Sequence, residues 1–406
     1  MEDADGSKAP GVTESSSSVE SAKHVGSSLH PRRSSARWVA LVVVLAGTGV
    51  GCYLAVGGPS NAPSLRHGAS AGVTTTSGAG PVAQSARLGP KHPWGLAAGA
   101  NGALYMVDTG RDQILERLPS GSFEVVAGTG QEGFSGDDGP AFAANLSLTN
   151  DSGIAVATDG TVYFSDTGNG RVRAVAPDGV ITTVAGGGTT LLATATAPAL
   201  DASFGPIGPE GLAIGPGGDL FIGGPAVYEL TDGTLHWVVG APPEVIPPPS
   251  DWQGVYANPG AQTDFAPAVR LAFDGQGDLM VAGGGGFGLY EDTTSGSLVF
   301  LENFRGDGEW GSIAASPAGD LVLAARDGIT VFASPDTFRP LSVDLDPLLG
   351  LNAAHRQNEF IGGDGVAVGP DGEIYVDTNT GNTFTSVSAL IEIGSDGSSP
   401  SVLWKS

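Results

Sequence analysis

Six stretches of this chain repeat one another, and the repetition limits the folds open to it. They read WGLAAGANGALYMVDTG from Trp94, SGIAVATDGTVYFSDTG from Ser152, EGLAIGPGGDLFIGGP from Glu210, AVRLAFDGQGDLMVAGG from Ala268, WGSIAASPAGDLVLAAR from Trp310 and DGVAVGPDGEIYVDTN from Asp364. The first four starts lie 58 residues apart, and the last two steps are 42 and 54. A period of this length marks one supersecondary unit copied along the chain, with loops of variable length between copies.

Each copy alternates apolar and polar residues in two short runs, separated by N-G, D-G, G-G, G-Q-G or A-G. Such punctuation between period-2 runs predicts antiparallel hairpins. A second hairpin follows the second copy (RVRAVAPDGVITTVAG), the third (AVYELTDGTLHWVVG) and the sixth (ALIEIGSDGSSPSVLW). Two hairpins make a four-stranded blade that cannot bury both faces alone, so blades must stack around an axis. The 65 glycines and 28 prolines agree with a chain of tight turns and short strands. The expected fold is all-β, a six-bladed β-propeller of four-stranded antiparallel blades over residues 91–406. The last unit supplies all four of its own strands, although residues 81–92 are available to complete it.

Ahead of the repeats, Trp38 to Val56 is a run of 19 uncharged residues, about the length of a membrane-crossing helix. Arg32, Arg33 and Arg37 precede it and no base follows until Arg66, which places the N-terminus in the cytoplasm and the repeats outside a cell membrane crossed once. A cleaved signal peptide or lipidation at Cys52 would export the same domain. Against them stand the 37-residue stretch before the apolar run and the glycine at position 49, where a lipidated cysteine expects an aliphatic residue. Residues 1–37, rich in serine and mixed charge, read as a disordered cytoplasmic tail, and the Gly, Ser, Ala, Thr and Pro of 57–90 read as a flexible linker.

The formal charge is −25, and the tail contributes none of the excess because its acids and bases balance. An acidic outer domain argues against nucleic acid and anionic lipid as partners. The single cysteine excludes an internal disulfide and any cysteine-based metal cluster.

The second repeat, GIAVATDGTVYFSDTGNGRVRAVAPDGVITTVAGGG, resembles a bacterial NHL repeat, chiefly through DTGNGR at 166–171. The first repeats it as DTGRDQI, followed by VVAGTGQEGFSGDDGPAFAANL, which resembles the connecting loop of NHL proteins and of teneurin-type NHL segments. Repeats three to six keep the first hairpin and lose the DTGN turn. In physical terms, Asp166, Thr167 and Asn169 can hydrogen-bond the backbone of a tight turn, with Gly168 allowing a positive φ. The motif therefore reads as a structural device, and Asp137 and Asp138 as a turn.

No catalytic constellation stands out. His24, His30, His67, His92, His236 and His355 are scattered without metal-ligand spacing. The residues entering the innermost strands include Asp151, Glu210, Glu309 and Asp364, and four carboxylates at a channel mouth suit a hard cation such as Ca²⁺. Resemblance to six-bladed lactonases and gluconolactonases would make this the metal site of a hydrolase. Trp252 and Tyr256, in a proline-rich insertion, offer a loop-face contact for a partner. The sensor parts of some bacterial receptor kinases resemble this arrangement too, so the leading expectation is a membrane-anchored extracytoplasmic binding or scaffold module for a protein, peptide or glycan. A metal-dependent hydrolase is the alternative.

Overall fold

The computed structural model describes residues 85–86, 89–192, 196–240, 268–283, 288–292, 298–303, 312–325, 328–334, 337–341, 362–380, 387–396 and 398–405. These are all-β apart from three 3₁₀ turns. No helix among them is long and apolar enough to cross a membrane. The apolar run 38–56, with Cys52, lies outside the described residues.

Each repeat forms its own antiparallel sheet, in chain order. The first strands are Pro93–Ala98, Ile154–Val156, Leu212–Ile214, Ala268–Phe273, Ser312–Ala315 and Gly362–Val368. The hairpin after each turns on a glycine at the same place, with φ of 78° at Gly102, 89° at Gly160, 90° at Gly218, 89° at Gly277, 91° at Gly319 and 90° at Gly372. Only glycine adopts this backbone without a Cβ penalty, so the repeated glycine fixes where each strand reverses.

Register then sets the packing. Each first strand presents an alanine opposite a larger residue on the second: Ala97 to Tyr105, Ala155 to Tyr163, Ala213 to Phe221, Ala272 to Met280, Ala314 to Val322 and Ala367 to Tyr375. The larger residue packs into the apolar cluster shared with the next sheet. Six such clusters join one to two, two to three, three to four, four to five, five to six, and six to one. Between the third and fourth strands every sheet carries a register shift, a bulge that sharpens the local twist.

Sheets four to six have four strands and sheets one to three have five. The extra strands are Ser85–Ala86, Gly139–Pro140 and Thr196–Pro198, each paired antiparallel along the outer edge of its sheet. They come from the segments leading into the sheets, and they occupy backbone donors and acceptors that an open edge would leave to solvent or another chain. The end of the stretch read as a linker thus completes sheet one, and among the described residues the sixth sheet consists of strands of its own unit.

The DTG aspartates clamp the chain as it enters each sheet. Asp108 accepts from the N–H groups of Lys91 and His92, each at 2.9 Å, and from Arg111 at 2.8 Å. Asp166 accepts from the Ser147 N–H at 2.7 Å, from Asn169 Nδ2 at 2.8 Å and from Arg173 at 3.2 Å. Arg173 is itself fully buried and reaches Asp137 at 2.8 Å, so Asp137 is a structural partner, as a turn reading allows. One detail differs from the sequence reading. The left-handed residue of this turn is Gly170, φ 62°, whereas Gly168 is needed because a Cβ there would lie 2.2 Å from Ser147 Oγ.

Replacing Asp166 by alanine leaves the Ser147 N–H without its acceptor, while Arg173 keeps Asp137 and the Ser135 carbonyl and Asn169 keeps the Gly133 carbonyl. The expected loss in unfolding free energy is about 1–3 kcal/mol, against under about 1 kcal/mol for alanine at the exposed turn residue Asp159. Urea denaturation of both variants measures the difference, and equal small losses would show that the clamp contributes little.

Candidate functional site

The six first strands converge at one register position, occupied by Gly95, Gly153, Gly211, Arg270, Ser312 and Gly365. The approach there is too close for most side chains. A Cβ on Gly153 would lie 2.4 Å from the Glu210 carbonyl oxygen, and one on Gly365 would lie 3.0 Å from the Leu96 nitrogen. Neighbouring first strands pack side by side in sequence order, and Gly362–Val368 packs against Pro93–Ala98. Their residues enclose a cavity of about 40 Å³, to which all six strands contribute and which Arg270 also lines.

Two buried carboxylic acids stand near that cavity. Glu210 is 4% exposed, and its backbone is held by the Gly153 N–H on its carbonyl at 3.1 Å and by the Ser165 hydroxyl at 2.6 Å. Its Oε2 has no hydrogen-bond partner among the described residues. Asp377, fully buried where sheet six meets sheet one, accepts from the Gly365 N–H through Oδ1, and its Oδ2 likewise has no partner among the described residues. Burial pushes the Glu210 carboxyl up to about 8; the charge of Asp151 adds to the rise and Arg270 opposes it. Asp377 is also raised, again chiefly by burial, with its bond from Gly365 and the Arg270 charge opposing. The charge of one guanidinium thus acts on both buried acids, and in both burial outweighs it.

Of the residues expected at a channel mouth, Asp151 and Glu210 are brought within electrostatic reach of each other, Asp151 half-buried in a turn with its N–H on Thr149 Oγ1. Asp364 lies in Gly362–Val368, at the register shift between Gly363 and Gly365, and its side chain is outside the described set. Glu309, Trp252 and Tyr256 lie outside the described residues. Among the described residues no group of three or more His, Cys, Asp or Glu side chains is arranged to hold a metal ion. Arg270 and Asp377 were not singled out from sequence. The signal for Arg270 was present, since it stands where four other repeats have glycine.

Comparison with known proteins gives the repeats their type. Residues 113–204 match the family model for the Teneurin NHL domain. Human and mouse Teneurin-4 are each 35% identical over 91 residues, covering 19% of this chain and 3% of the relative, so the chain spans a small fraction of those proteins. In structure the chain is similar to virginiamycin B lyase from Staphylococcus aureus (12% identity, TM-score 0.43, 77% of this chain and 96% of that one). It is also similar to a gluconolactonase from Xanthomonas campestris (14% identity, TM-score 0.45, 71% and 84%). Residues 113–204, from the third strand of sheet one through the connection into sheet three, are thus similar to the Teneurin NHL domain.

An unfolded glutamate loses its proton near pH 4.3, and the folded chain retains the Glu210 proton to about pH 8. The folded state binds the extra proton throughout that window, so the Glu210 contribution is full below about pH 4 and stability falls as pH rises toward about 8. Glu210→Gln removes this titration, and its melting temperature is expected to vary less between pH 5 and 8 than that of the unsubstituted chain. Parallel profiles would mean that Glu210 titrates as an exposed acid does.

Proposed function

We propose that this chain is a membrane-anchored binding module: a closed, six-bladed NHL propeller held outside the cell membrane by the helix 38–56, recognising a protein partner through its connecting loops. The observation that carries the reading is the central cavity lined by all six first strands. Shared apolar clusters between successive sheets, including the sixth and the first, support closure as well. Such a ring buries every blade face and leaves loops as the variable surface, the usual place for recognition on a rigid scaffold. The arginines before residue 38, with no base after the apolar run until Arg66, support the orientation. Trp252 and Tyr256 are the loop aromatics proposed to meet the partner.

The hydrolase alternative needs a metal and a substrate at the channel. About 40 Å³ accommodates little more than one water, whereas ligand pockets run to about 300 Å³ or more. Arg270 lines that space as a cation, which disfavours a second cation beside it.

The test uses the full chain in its own membrane. A photo-crosslinking residue placed at Trp252 or Tyr256 is expected to give one discrete, saturable adduct on the outer side, and an impermeant protease added to intact cells is expected to degrade the repeats. The purified chain should show no turnover of lactones or esters that depends on Ca²⁺, Mn²⁺ or Zn²⁺. Metal-dependent turnover lost in Glu210→Gln would replace the binding reading with the hydrolase one, and repeats protected from external protease would overturn the orientation.

A further inference from the structure

The large residue that follows each hairpin turn fills the wedge between its sheet and the next. Tyr105, Tyr163, Phe221, Met280 and Tyr375 do so, and Phe221 meets Phe273 of sheet four edge-to-face with ring centroids 4.8 Å apart. In sheet five the residue is Val322, the smallest of the six. At that wedge, between sheets five and six, lies a cleft of about 460 Å³. Its size falls within the range of small-ligand pockets, and it is more than ten times the central cavity.

The lining of this cleft is divided by chemistry. Val322, Val331, Val368 and Ile374 form an apolar wall, with Val322, Val331 and Ile374 each less than 5% exposed. Asp320, Asp371 and Asp396 stand on three separate hairpin turns around it. Asp371 and Asp396 are exposed, and Asp396 Oδ1 is fixed by the Ser398 N–H at 2.8 Å. No lysine, arginine or histidine is among the lining residues, and the chain as a whole carries −25.

The geometry points to a lysine side chain of a partner protein as the occupant of this cleft. The four methylenes of lysine are an apolar stem that can lie along the valine wall, while the ammonium remains at the acidic rim. Carboxylates carried singly on different turns of the rim offer separate points of attraction and no bidentate pair with another acid, which suits a compact ammonium better than a planar guanidinium that gains most from a single bidentate acid. The acidic field of the domain would speed the encounter with a basic partner. This assignment is independent of the anchored-module reading, since the cleft binds or fails to bind whichever side of a membrane it faces.

The probe is N-acetyl-Gly-Lys-Gly amide, titrated into the detergent-solubilised full chain and followed by saturation-transfer NMR. The lysine methylenes are expected to receive the strongest saturation. The norleucine analogue, which keeps the stem without the charge, is expected to bind at least tenfold more weakly, as is the lysine peptide to Val322→Tyr, which restores the bulk found in the other wedges. Asp371→Asn and Asp396→Asn change exposed residues and leave the fold intact, so they decide the matter even if Val322→Tyr does not fold; each should weaken binding severalfold and reduce its salt dependence. Lysine binding unchanged in the two Asn variants, norleucine binding as well as lysine, or the arginine peptide binding more tightly than lysine would overturn the proposal.

Discussion

The close approach of six strands at one register position governs the rest of this structure. Where Gly153 passes the Glu210 carbonyl, a Cβ would intrude to 2.4 Å, so the backbone rather than a side chain forms the contact. That contact places the Gly153 N–H on the Glu210 carbonyl and the Ser165 N–H on the Gly153 carbonyl, satisfying groups that burial would otherwise leave unpaired. With the strands this near, each alanine and its larger partner are brought onto the next sheet, and six small apolar clusters form between sheets in place of one large core. Arg270 and Ser312 are the exceptions to glycine at this position. Ser312 uses its hydroxyl to accept from the Val366 N–H at 3.3 Å, taking over a backbone role.

Charge is handled in two ways around that arrangement. The DTG aspartates are compensated locally: Asp166 gathers a backbone N–H, an amide and a guanidinium, and Asp108 two backbone N–H groups and a guanidinium. Glu210 and Asp377 have fewer direct partners, and a single guanidinium opposes the desolvation of both. Near neutral pH it is therefore favourable for these acids to hold protons, which limits the charge in a space too small for much water. The formal −25 of the chain is reduced in magnitude by each such acid that retains its proton.

The parts of this fold that were legible in sequence are those that depend on local chemistry. The turn glycines and the period-2 runs act within a few residues, and the hairpins follow from them; the DTG carboxylates were legible as backbone acceptors, while the N–H groups they bind lie 16 to 19 residues upstream. What was not legible depends on partners far along the chain. Ser85–Ala86, Gly139–Pro140 and Thr196–Pro198 pair through backbone alone, so their side chains carry no strand signal. The bulges between third and fourth strands place an extra residue on the fourth strand, Val126, Val184, Val238 and Leu403 in sheets one, two, three and six, and such aliphatic residues are as common in unbulged strands. Gly168 was assigned a positive φ because glycine permits it, whereas the neighbouring Ser147 is what demands glycine there.

A repeat supplies its own control experiment. Five wedges filled by Tyr, Phe or Met define what the sixth would need in order to close, and four glycines define what the channel would be without Arg270. Departures at such positions cannot be ascribed to drift on a permissive surface. An arginine among glycines must find both space and polar company, and Glu210 and Asp377 lie within its electrostatic reach. A valine among aromatics gives up buried contact, at about 25 cal/mol for each Å² of apolar surface left uncovered. The first departure puts a cation in the lining of the small cavity that the first strands share. The second opens the flank of the molecule, and the acids gathered around that opening give it a chemical preference that the tightly packed wedges lack.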